Sequence, residues 1–379
     1  KINKFEIPTL LLFSTLGMLI MISSKNLMIM YLAIELQSLS LYVVASIKRN
    51  SIESAESGVK YFILGALSSG ILLYGFSLVY GFTGHTSFDG IAISLDKIDN
   101  LPIGLIFGLV FVLVGLAFKV SAVPFHMWTP DVYEGAPTSI TAFFAIVPKL
   151  AAIALIFRFC LEPFGKFYFE WTQVIFFLSV ASMFLGAIAA IAQKNLKRLL
   201  AYSSIGHVGY VLIALVSTSD QGLKSASIYM FIYLVMNIAV FSIILSLKKS
   251  DAYVEKISSL SGLSKSNPVI SASLAIIMLS MAGIPPFMGF FGKFYVFIAA
   301  IESQLYILAV LGVLASVISA FYYLRIIKSI YFDEPTDNEA FEFTISSESK
   351  VILFIFMILI TFFILYPSLL TNVVSSISL

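Results

Sequence analysis

The chain alternates long apolar segments with short polar connections. About eleven segments approach the roughly 20 apolar residues that a helix needs to cross a bilayer. Gly, Ser, Asn and Pro mark the breaks between them, and only the connections 83–101 and 332–349 are long. The pattern predicts an all-α polytopic membrane protein that forms a single membrane domain over residues 1–379. The predicted transmembrane helices lie near 7–23, 27–47, 59–82, 102–123, 137–159, 171–193, 197–218, 223–247, 268–300, 304–331 and 350–370.

The composition supports a bilayer as the solvent. Hydrophobic residues make up 59% of the 379 residues and charged residues only 12%, and the mean hydropathy is +0.99. A soluble domain carries about 25% charged residues, so this chain cannot cover a water-facing surface. The formal net charge of +2 gives no reason to expect a nucleic-acid partner. A single cysteine excludes an internal disulfide and a Cys₄ iron–sulfur cluster, and three scattered histidines make a structural metal site unexpected.

Lys and Arg are distributed unequally between the two sets of helix ends. One set collects only Lys25, Lys97, Arg158, Lys166 and Lys224. The other collects Lys1, Lys4, Lys48, Arg49, Lys60, Lys194, Lys197, Arg198, Lys248, Lys249, Lys256, Lys265, Arg325, Lys328 and Lys350. Because cytoplasmic loops carry the excess of basic residues, the N-terminus is predicted to face the bacterial cytoplasm or the mitochondrial matrix.

Four charged residues are predicted to lie at mid-membrane depth rather than near a span end: Glu35, Lys119, Lys149 and Lys293. A charge at the centre of a span costs about 2.5–3.5 kcal/mol on insertion scales, so such residues usually face a polar interior and have a function. The alternative is a side chain that reaches the membrane surface, as expected for Lys60 and Arg158, or half of a structural ion pair. Desolvation disfavours the charged forms of both Lys and Glu, which suits groups that take up and release protons.

His207 is the one histidine predicted to lie within a span. It is either a neutral, hydrogen-bonded core residue or a proton relay, and nearby Tyr202, Ser203, Ser204 and Tyr210 could order water beside it. Hydroxyl groups in membrane helices also bond to their own backbone. His126 and Asp131 lie near a predicted helix break, where a structural role in the loop is expected.

Two spans carry prolines beside their lysines. Pro124 follows Lys119, and Pro285 and Pro286 precede Lys293. A continuous helix over 268–300 would be about 48 Å long against a hydrocarbon core of about 30 Å, so it must bend or break.

The two interrupted spans are the fourth and the ninth, five spans apart. An odd separation predicts inverted topology, with a first five-helix repeat over 27–159, a second over 171–331 and a C-terminal helix over 350–370. Interrupted helices in corresponding positions of two halves are typical of transporters. Protons are the expected cargo, because the groups inside the spans are titratable.

Four long segments resemble the antiporter-like subunits of NADH:quinone oxidoreductase, and subunit N (chain 2 of mitochondrial complex I) in particular. These segments are VKYFILGALSSGILLYGFSLVYGFTG, FKVSAVPFHMWTPDVYEGAPT, QKNLKRLLAYSSIGHVGYVLIA and MLSMAGIPPFMGFFGKFYVFIAAI. The resemblance extends from about residue 27 to residue 331. Full-length family members have about three further helices before the segment that corresponds to the start of this chain.

The resemblance implies a role for each buried charge. It makes Glu35 and Lys119 a carboxylate–lysine pair, Lys149 the lysine leading to the centre of the subunit, His207 the bridging histidine, and Lys293 the lysine of the second broken helix. It implies that FMN, iron–sulfur clusters and quinone belong to partner subunits and that this chain carries no cofactor.

The implied partners and location follow from the same resemblance. The partners are a neighbouring antiporter-like subunit, a small chain of the 4L or K type, and lipids such as cardiolipin. A composition rich in Ile, Phe, Lys, Asn and Ser indicates an AT-rich genome, as in mitochondria and some bacteria. The predicted location is the mitochondrial inner membrane, with the bacterial cytoplasmic membrane as the alternative. Two other functions stay open: a subunit of a multi-subunit cation/proton antiporter, and a structural spacer whose lysines carry nothing.

Overall fold

The computed structural model describes residues 5–48, 50–249, 252–334, 341–343 and 347–375. Within these ranges the fold is almost entirely helical, as the sequence predicts. The helices are α1 (Glu6–Ser23), α2 (Leu27–Ala45), α3 (Ile52–Thr83), α4 (Phe88–Asp96), α5 (Ile103–Val120), α6 (Trp128–Gly135), α7 (Thr138–Leu161), α8 (Tyr168–Ile191), α9 (Leu196–Val216), α10 (Asp220–Ile244), α11 (Leu263–Ser266), α12 (Pro268–Ala282), α13 (Met288–Glu302), α14 (Tyr306–Tyr331), α15 (Ser347–Phe362) and α16 (Ser368–Ser375). The strands are β1 (Leu247–Lys249), β2 (Ala252–Tyr253) and β3 (Phe341–Phe343), which form an antiparallel sheet in the order β2–β1–β3.

Every predicted span contains a helix. Nine helices of the described ranges are long and apolar enough to cross a membrane, and α12 and the segment 349–365 are shorter apolar helices. The C-terminal helix predicted over 350–370 is divided into α15, a 3-10 helix and α16, because Pro367 lies where the helix would continue. Residues 1–4 and Arg49, which contributed to the predicted charge asymmetry, lie outside the described residues.

The chain divides into two compact units between Ala181 and Ser182. The first unit contains α1–α7 and the beginning of α8, and the second contains the end of α8 and α9–α16. Each unit is described separately below.

Each unit contains one interrupted helix. In the first unit α5 ends before α6, and in the second α12 ends before α13. Ser121 and Gly283 adopt the left-handed conformation, with φ of 64° and 84°, just after these helix ends. The amide of the next residue, Ala122 or Ile284, donates to the carbonyl five residues back, which closes the helix end as in a Schellman motif. The prolines predicted to break the spans lie directly after these turns.

The first unit contains a backbone bridge between two connections. The amide of Leu27 donates to the carbonyl of Thr86 over 2.8 Å, and the amide of Phe88 donates to the carbonyl of Lys25 over 2.9 Å. Asn26 lies between these bonds and accepts hydrogen bonds from the first amides of α2, so it serves as the helix N-cap.

The second unit contains the same bridge 169 residues later. The amide of Leu196 donates to the carbonyl of Glu255 over 2.7 Å, and the amide of Ile257 donates to the carbonyl of Lys194 over 3.0 Å. Asn195 is the N-cap of α9, as Asn26 is of α2. The match pairs α2 with α9 residue by residue.

An arginine completes the bridge in each unit. Arg158 on α7 donates to the carbonyl of Ile22, in the last turn of α1, and to that of Ser24 at 3.1 Å. Arg325 on α14 donates to the carbonyls of Ile191 and Gln193 at 2.5 and 2.6 Å. Both arginines satisfy carbonyl groups that a helix end leaves without intrahelical partners. Arg158 is therefore a helix-capping residue in addition to a partner of Glu162, and α7 corresponds to α14 with a separation of 167 residues.

A serine fixes the third correspondence. Ser57 on α3 donates to the carbonyl of Val132 on α6, and Ser225 on α10 donates to the carbonyl of Tyr295 on α13. The two serines lie 168 residues apart, so α3 corresponds to α10. The connections that the two arginines cap follow α1 in the first unit and α8 in the second, so α1 corresponds to α8.

Candidate functional site

Lys119 and Glu35 lie among α2, α3 and α5 in the first unit. Lys119 is in the last turn of α5, immediately before the break, and its side chain is buried. Its Nζ donates a hydrogen bond of 2.7 Å to Ser38 Oγ. Glu35, one turn before Ser38 on α2, accepts a short hydrogen bond from Ser69 Oγ on α3. The side chains of Lys119 and Glu35 are thus each hydrogen-bonded to a serine hydroxyl group on α2 or α3.

Glu35 and Lys119 do not touch. In the described part of the first unit, no nitrogen–oxygen distance within 4.0 Å joins their side chains, and each uses a serine as its partner. The two residues that the family resemblance pairs are therefore each hydrogen-bonded to a serine in this structure. A proton moving between them needs a hydroxyl group or a water molecule between the two side chains.

Lys149 lies at the middle of α7 and is almost completely buried, with 1% of its surface exposed. Its Nζ lies 5.6 Å from the centre of the Tyr133 ring on α6. The ring is held there by a defect in α7. Pro148 has no amide hydrogen, so the carbonyl of Phe144 lacks its normal helical donor, and the Tyr133 hydroxyl donates to that carbonyl over 3.1 Å.

His207 forms the centre of a hydroxyl cluster in the second unit. Its Nδ1 lies 2.6 Å from the hydroxyl oxygen of Tyr229 on α10, and its Nε2 lies 3.1 Å from that of Tyr323 on α14. Tyr323 shares a further hydrogen bond of 2.5 Å with Ser203, one turn before His207. All four side chains are buried.

Lys293 lies beside the second break. Its Nζ donates 2.8 Å hydrogen bonds to the carbonyl of Ala282, the last residue of α12, and to Ser316 Oγ on α14. The carbonyl end of a helix carries partial negative charge, so the break stabilises an ammonium group there. Gly283 provides the space, since a Cβ at this position would lie 2.9 Å from Lys293 Cδ.

A small cavity connects this lysine with the histidine cluster. His207, Lys293, Tyr210, Tyr323 and Ser203 contribute to its wall. The cavity has a volume of about 10 Å³, enough for about one water molecule. The second unit therefore brings two of the predicted residues, His207 and Lys293, to one cavity.

The other predicted residues have simpler partners. Asp131 lies 2.6 Å from the Nζ of Lys60, which is also 2.6 Å from Glu56, so Lys60 is held in a surface ion-pair network. Ser204 donates to the carbonyl of Ala201 on its own helix. Among the described residues, no group of three or more His, Cys, Asp and Glu side chains is arranged to hold a metal ion.

Sequence reasoning missed the neutral partners of the charges. The missed residues are Ser38, Ser69, Tyr133, Tyr229, Ser316 and Tyr323. Serine occurs in every predicted span and tyrosine in seven of the eleven, so their type carries no signal. One local signal was available: Pro148 lies four residues after Phe144, which predicts a carbonyl in need of a side-chain donor.

Comparison with known proteins connects this geometry to a family. Residues 24–319 match the family described as "NADH:quinone oxidoreductase/Mrp antiporter, TM". NADH-quinone oxidoreductase subunit N of Pelagibacter ubique is 55% identical over all of this chain and 79% of its own length. Subunit N of Rhodospirillum rubrum is 53% identical over 98% of this chain and 76% of its own. The chain belongs to this family. Within the NADH:quinone oxidoreductase/Mrp antiporter family, its similarity is to subunit N.

Solved structures of family complexes have the same fold. A chain of respiratory complex I from Thermus thermophilus, solved with bound aureothin, has a TM-score of 0.84 and 31% identity, covering 98% of this chain and 80% of its own. A chain of the Mrp complex from a Dietzia species gives the same TM-score at 22% identity, covering 97% and 76%. The second likeness concerns the fold alone.

Proposed function

We propose that this chain carries protons across the membrane as a subunit of a respiratory NADH:quinone oxidoreductase. The proposed path uses Glu35, Lys119, Lys149, His207 and Lys293. The observation that supports it best is the cavity of the second unit, where a buried lysine and a buried histidine line a space for about one water molecule. Membership of the subunit N branch makes the chain part of an enzyme that couples NADH oxidation to proton translocation.

Neutral partners suit proton transfer. Lys119 donates to a serine hydroxyl, and Lys293 donates to a serine hydroxyl and a backbone carbonyl. Such acceptors orient an ammonium group but do not compensate its charge fully, and desolvation favours the neutral amine. A change of charge on a neighbouring group can therefore shift the proton equilibrium of each lysine. Remote redox events would act on this chain through such electrostatic changes.

The redox chemistry belongs, in this proposal, to other subunits. FMN, iron–sulfur clusters and quinone would be bound by them, and this chain would contact a neighbouring antiporter-like subunit and a small subunit of the 4L or K type. Anionic lipids such as cardiolipin would bind at the exposed lysines of the second unit. These are Lys194, Lys256, Lys265, Lys328 and Lys350.

The membrane is that of a respiratory complex. The composition suits both mitochondria and some bacteria, whereas the bacterial sources of the relatives at 52–57% identity favour a bacterial cytoplasmic membrane. In either case the proposed orientation places the N-terminus on the matrix or cytoplasmic side. Protease accessibility of an epitope at the N-terminus would test that orientation.

The test replaces Lys149 or Lys293 by alanine in the assembled complex. NADH-driven proton translocation should fall, while NADH oxidation with an artificial electron acceptor continues, because the redox subunits are unchanged. Lys265→Ala, at an exposed lysine, is the matched control and should pump normally. Normal pumping by both buried-lysine variants in intact complex would favour the structural spacer.

A cation/proton antiporter is the second candidate, because the matching family includes Mrp subunits. Co-purification separates the two functions. A subunit of the oxidoreductase should be isolated with NADH-oxidising peripheral subunits, whereas an antiporter subunit should be isolated without them.

A further inference from the structure

We propose that Tyr229 and Tyr323 carry protons to and from His207, so that the neutral imidazole relays protons between two hydroxyl groups. The inference rests on the proposed function and adds two residues to the path within the second unit. Tyr229 contributes from α10 and Tyr323 from α14, on opposite ring nitrogens of a histidine on α9.

The two hydrogen-bond lengths assign a resting direction. Hydroxyl donors form bonds of about 2.5–3.0 Å, and N–H donors form bonds of about 2.7–3.2 Å. The 2.6 Å contact fits the Tyr229 hydroxyl donating to Nδ1, and the 3.1 Å contact fits Nε2–H donating to the Tyr323 oxygen. Tyr323 then donates to Ser203 over 2.5 Å. The donors of Tyr229, His207 and Tyr323 all point the same way along the chain.

In this arrangement one proton enters the relay at Tyr229 for each proton that leaves it at Tyr323. A proton that reaches the Tyr229 oxygen releases that hydroxyl's own proton to Nδ1. The Nε2 proton then moves to the Tyr323 oxygen. The Tyr323 hydroxyl releases its own proton to a water molecule in the cavity, either directly or through Ser203, which releases its own proton as it accepts one. The imidazole ends in its other tautomer, and rotation of the ring or exchange through the cavity water restores the first.

A buried histidine in a purely structural role needs only one acceptor and one donor, which backbone groups can supply. Here both partners are hydroxyl groups, which donate and accept equally well. Tyr323 and His207 itself also line the cavity that Lys293 lines. A relay requires exchangeable partners and a nearby proton carrier, and this cluster provides both.

The first unit provides an internal comparison. The residue that corresponds to His207 on α2 is Ser38, and the residue that corresponds to Tyr229 on α3 is Tyr61. Tyr61 stacks on Trp128 at 4.4 Å between ring centres, and Ser38 accepts from Lys119. The histidine–tyrosine arrangement is therefore an addition to the repeated scaffold, whose helices pack without it.

The test removes or modifies the hydroxyl groups in the assembled complex. Tyr229→Phe and Tyr323→Phe should lose the proton translocation that this subunit contributes, with NADH oxidation by an artificial acceptor unchanged. Tyr61→Phe, at the corresponding buried tyrosine of the first unit, is the control and should pump normally. Normal pumping by both phenylalanine variants would overturn the relay.

Fluorotyrosine at position 229 or 323 distinguishes a relay from a packing role. It keeps the ring and the hydroxyl but makes the hydroxyl more acidic, so a relay predicts a changed rate of proton translocation and a packing role predicts none. This variant also decides the matter if a phenylalanine variant fails to assemble. Lys293→Ala belongs to the same series: if it pumps normally, the proposed function fails, whereas if it fails to pump while the tyrosine variants pump normally, only the relay is wrong.

Discussion

The two units share a scaffold but place their lysines differently. Lys149 on α7 of the first unit corresponds to Ser316 on α14 of the second. In the first unit Lys149 lies on α7 and faces Tyr133 on α6, the helix after the break. In the second unit Lys293 lies on α13, the helix after the break, and donates to Ser316 on α14. In both units a lysine therefore lies between the helix after the break and the helix that carries the arginine. The lysine belongs to α7, the arginine helix, in the first unit and to α13, the helix after the break, in the second.

The helix ends before the breaks differ in the same way. Lys119 is the residue before the last of α5, and Met281 holds that place in α12. Lys119 donates to Ser38, whereas Met281 lines the cavity with His207, the counterpart of Ser38. The two units thus have the same backbone pattern, but their charged side chains lie at different positions of it. Single substitutions at these positions can therefore test whether folding and the proposed proton transfer depend on different residues.

The largest expected effect is at Gly283. Gly283→Ala places a Cβ at φ 84°, which costs about 1–2 kcal/mol, and presses it against the Lys293 side chain. Both effects act on the second break, so the complex should lose assembly or proton translocation, measured in native gels and membrane vesicles. Gly70→Ala has open space at its Cβ and should behave as wild type. Wild-type pumping by Gly283→Ala would show that the second break needs no glycine.

The corresponding turn of the first unit sharpens this comparison. Ser121 adopts φ 64°, and its hydroxyl accepts a 2.6 Å hydrogen bond from Thr129. The first break therefore carries a side chain where the second has glycine, and a Cβ at Gly283 would require the Lys293 side chain to move.

Lys119→Met gives the first unit the residue type that the second unit has at the corresponding position, Met281. The substitution removes a buried ammonium group, whose cost on insertion scales is about 2.5–3.5 kcal/mol, so the subunit should resist heating better. Proton translocation should fall, because the hydrogen bond to Ser38 and its titratable group are lost. Heat-induced release of the subunit and NADH-driven pumping measure the two effects. Lower thermal stability would mean that the lysine holds the fold together.

The sequence predicts the helices well and the site only in part. Apolar segments long enough for a bilayer identify every span, and prolines identify both breaks. The short helix α6 was not predicted because Pro130, Asp131 and Glu134 interrupt any apolar pattern. The strands were missed because two or three residues give no periodicity.

The charges were found because they are rare in spans, and their partners were not because the chain has 18 tyrosines. His207 and Tyr323 lie 116 residues apart in the chain. Such a contact depends on how α9 and α14 pack, which no local pattern specifies.

Tyr133→Phe tests how the ring beside Lys149 is positioned. The variant leaves the buried Phe144 carbonyl without a donor, which should destabilise the subunit by about 1–3 kcal/mol. Pro148→Ala restores a backbone amide at the position that normally serves that carbonyl. The loss caused by Tyr133→Phe should therefore be smaller in the Pro148→Ala background, measured as a double-mutant cycle on heat-induced release. Equal losses in both backgrounds would contradict the proposed role of the hydroxyl.

The smallest expected loss of stability is at the two helix N-caps, Asn26 and Asn195. Asn26→Ala and Asn195→Ala each remove the acceptor of the first amides of a helix, which should cost about 1 kcal/mol. Asn26 also donates from Nδ2 to Thr86 Oγ1 over 3.0 Å, so its replacement should cost more. In a Thr86→Ala background the two losses should become equal, as measured by heat-induced release. If they still differ by more than a few tenths of a kcal/mol, the two bridges are alike in backbone geometry but not in energy.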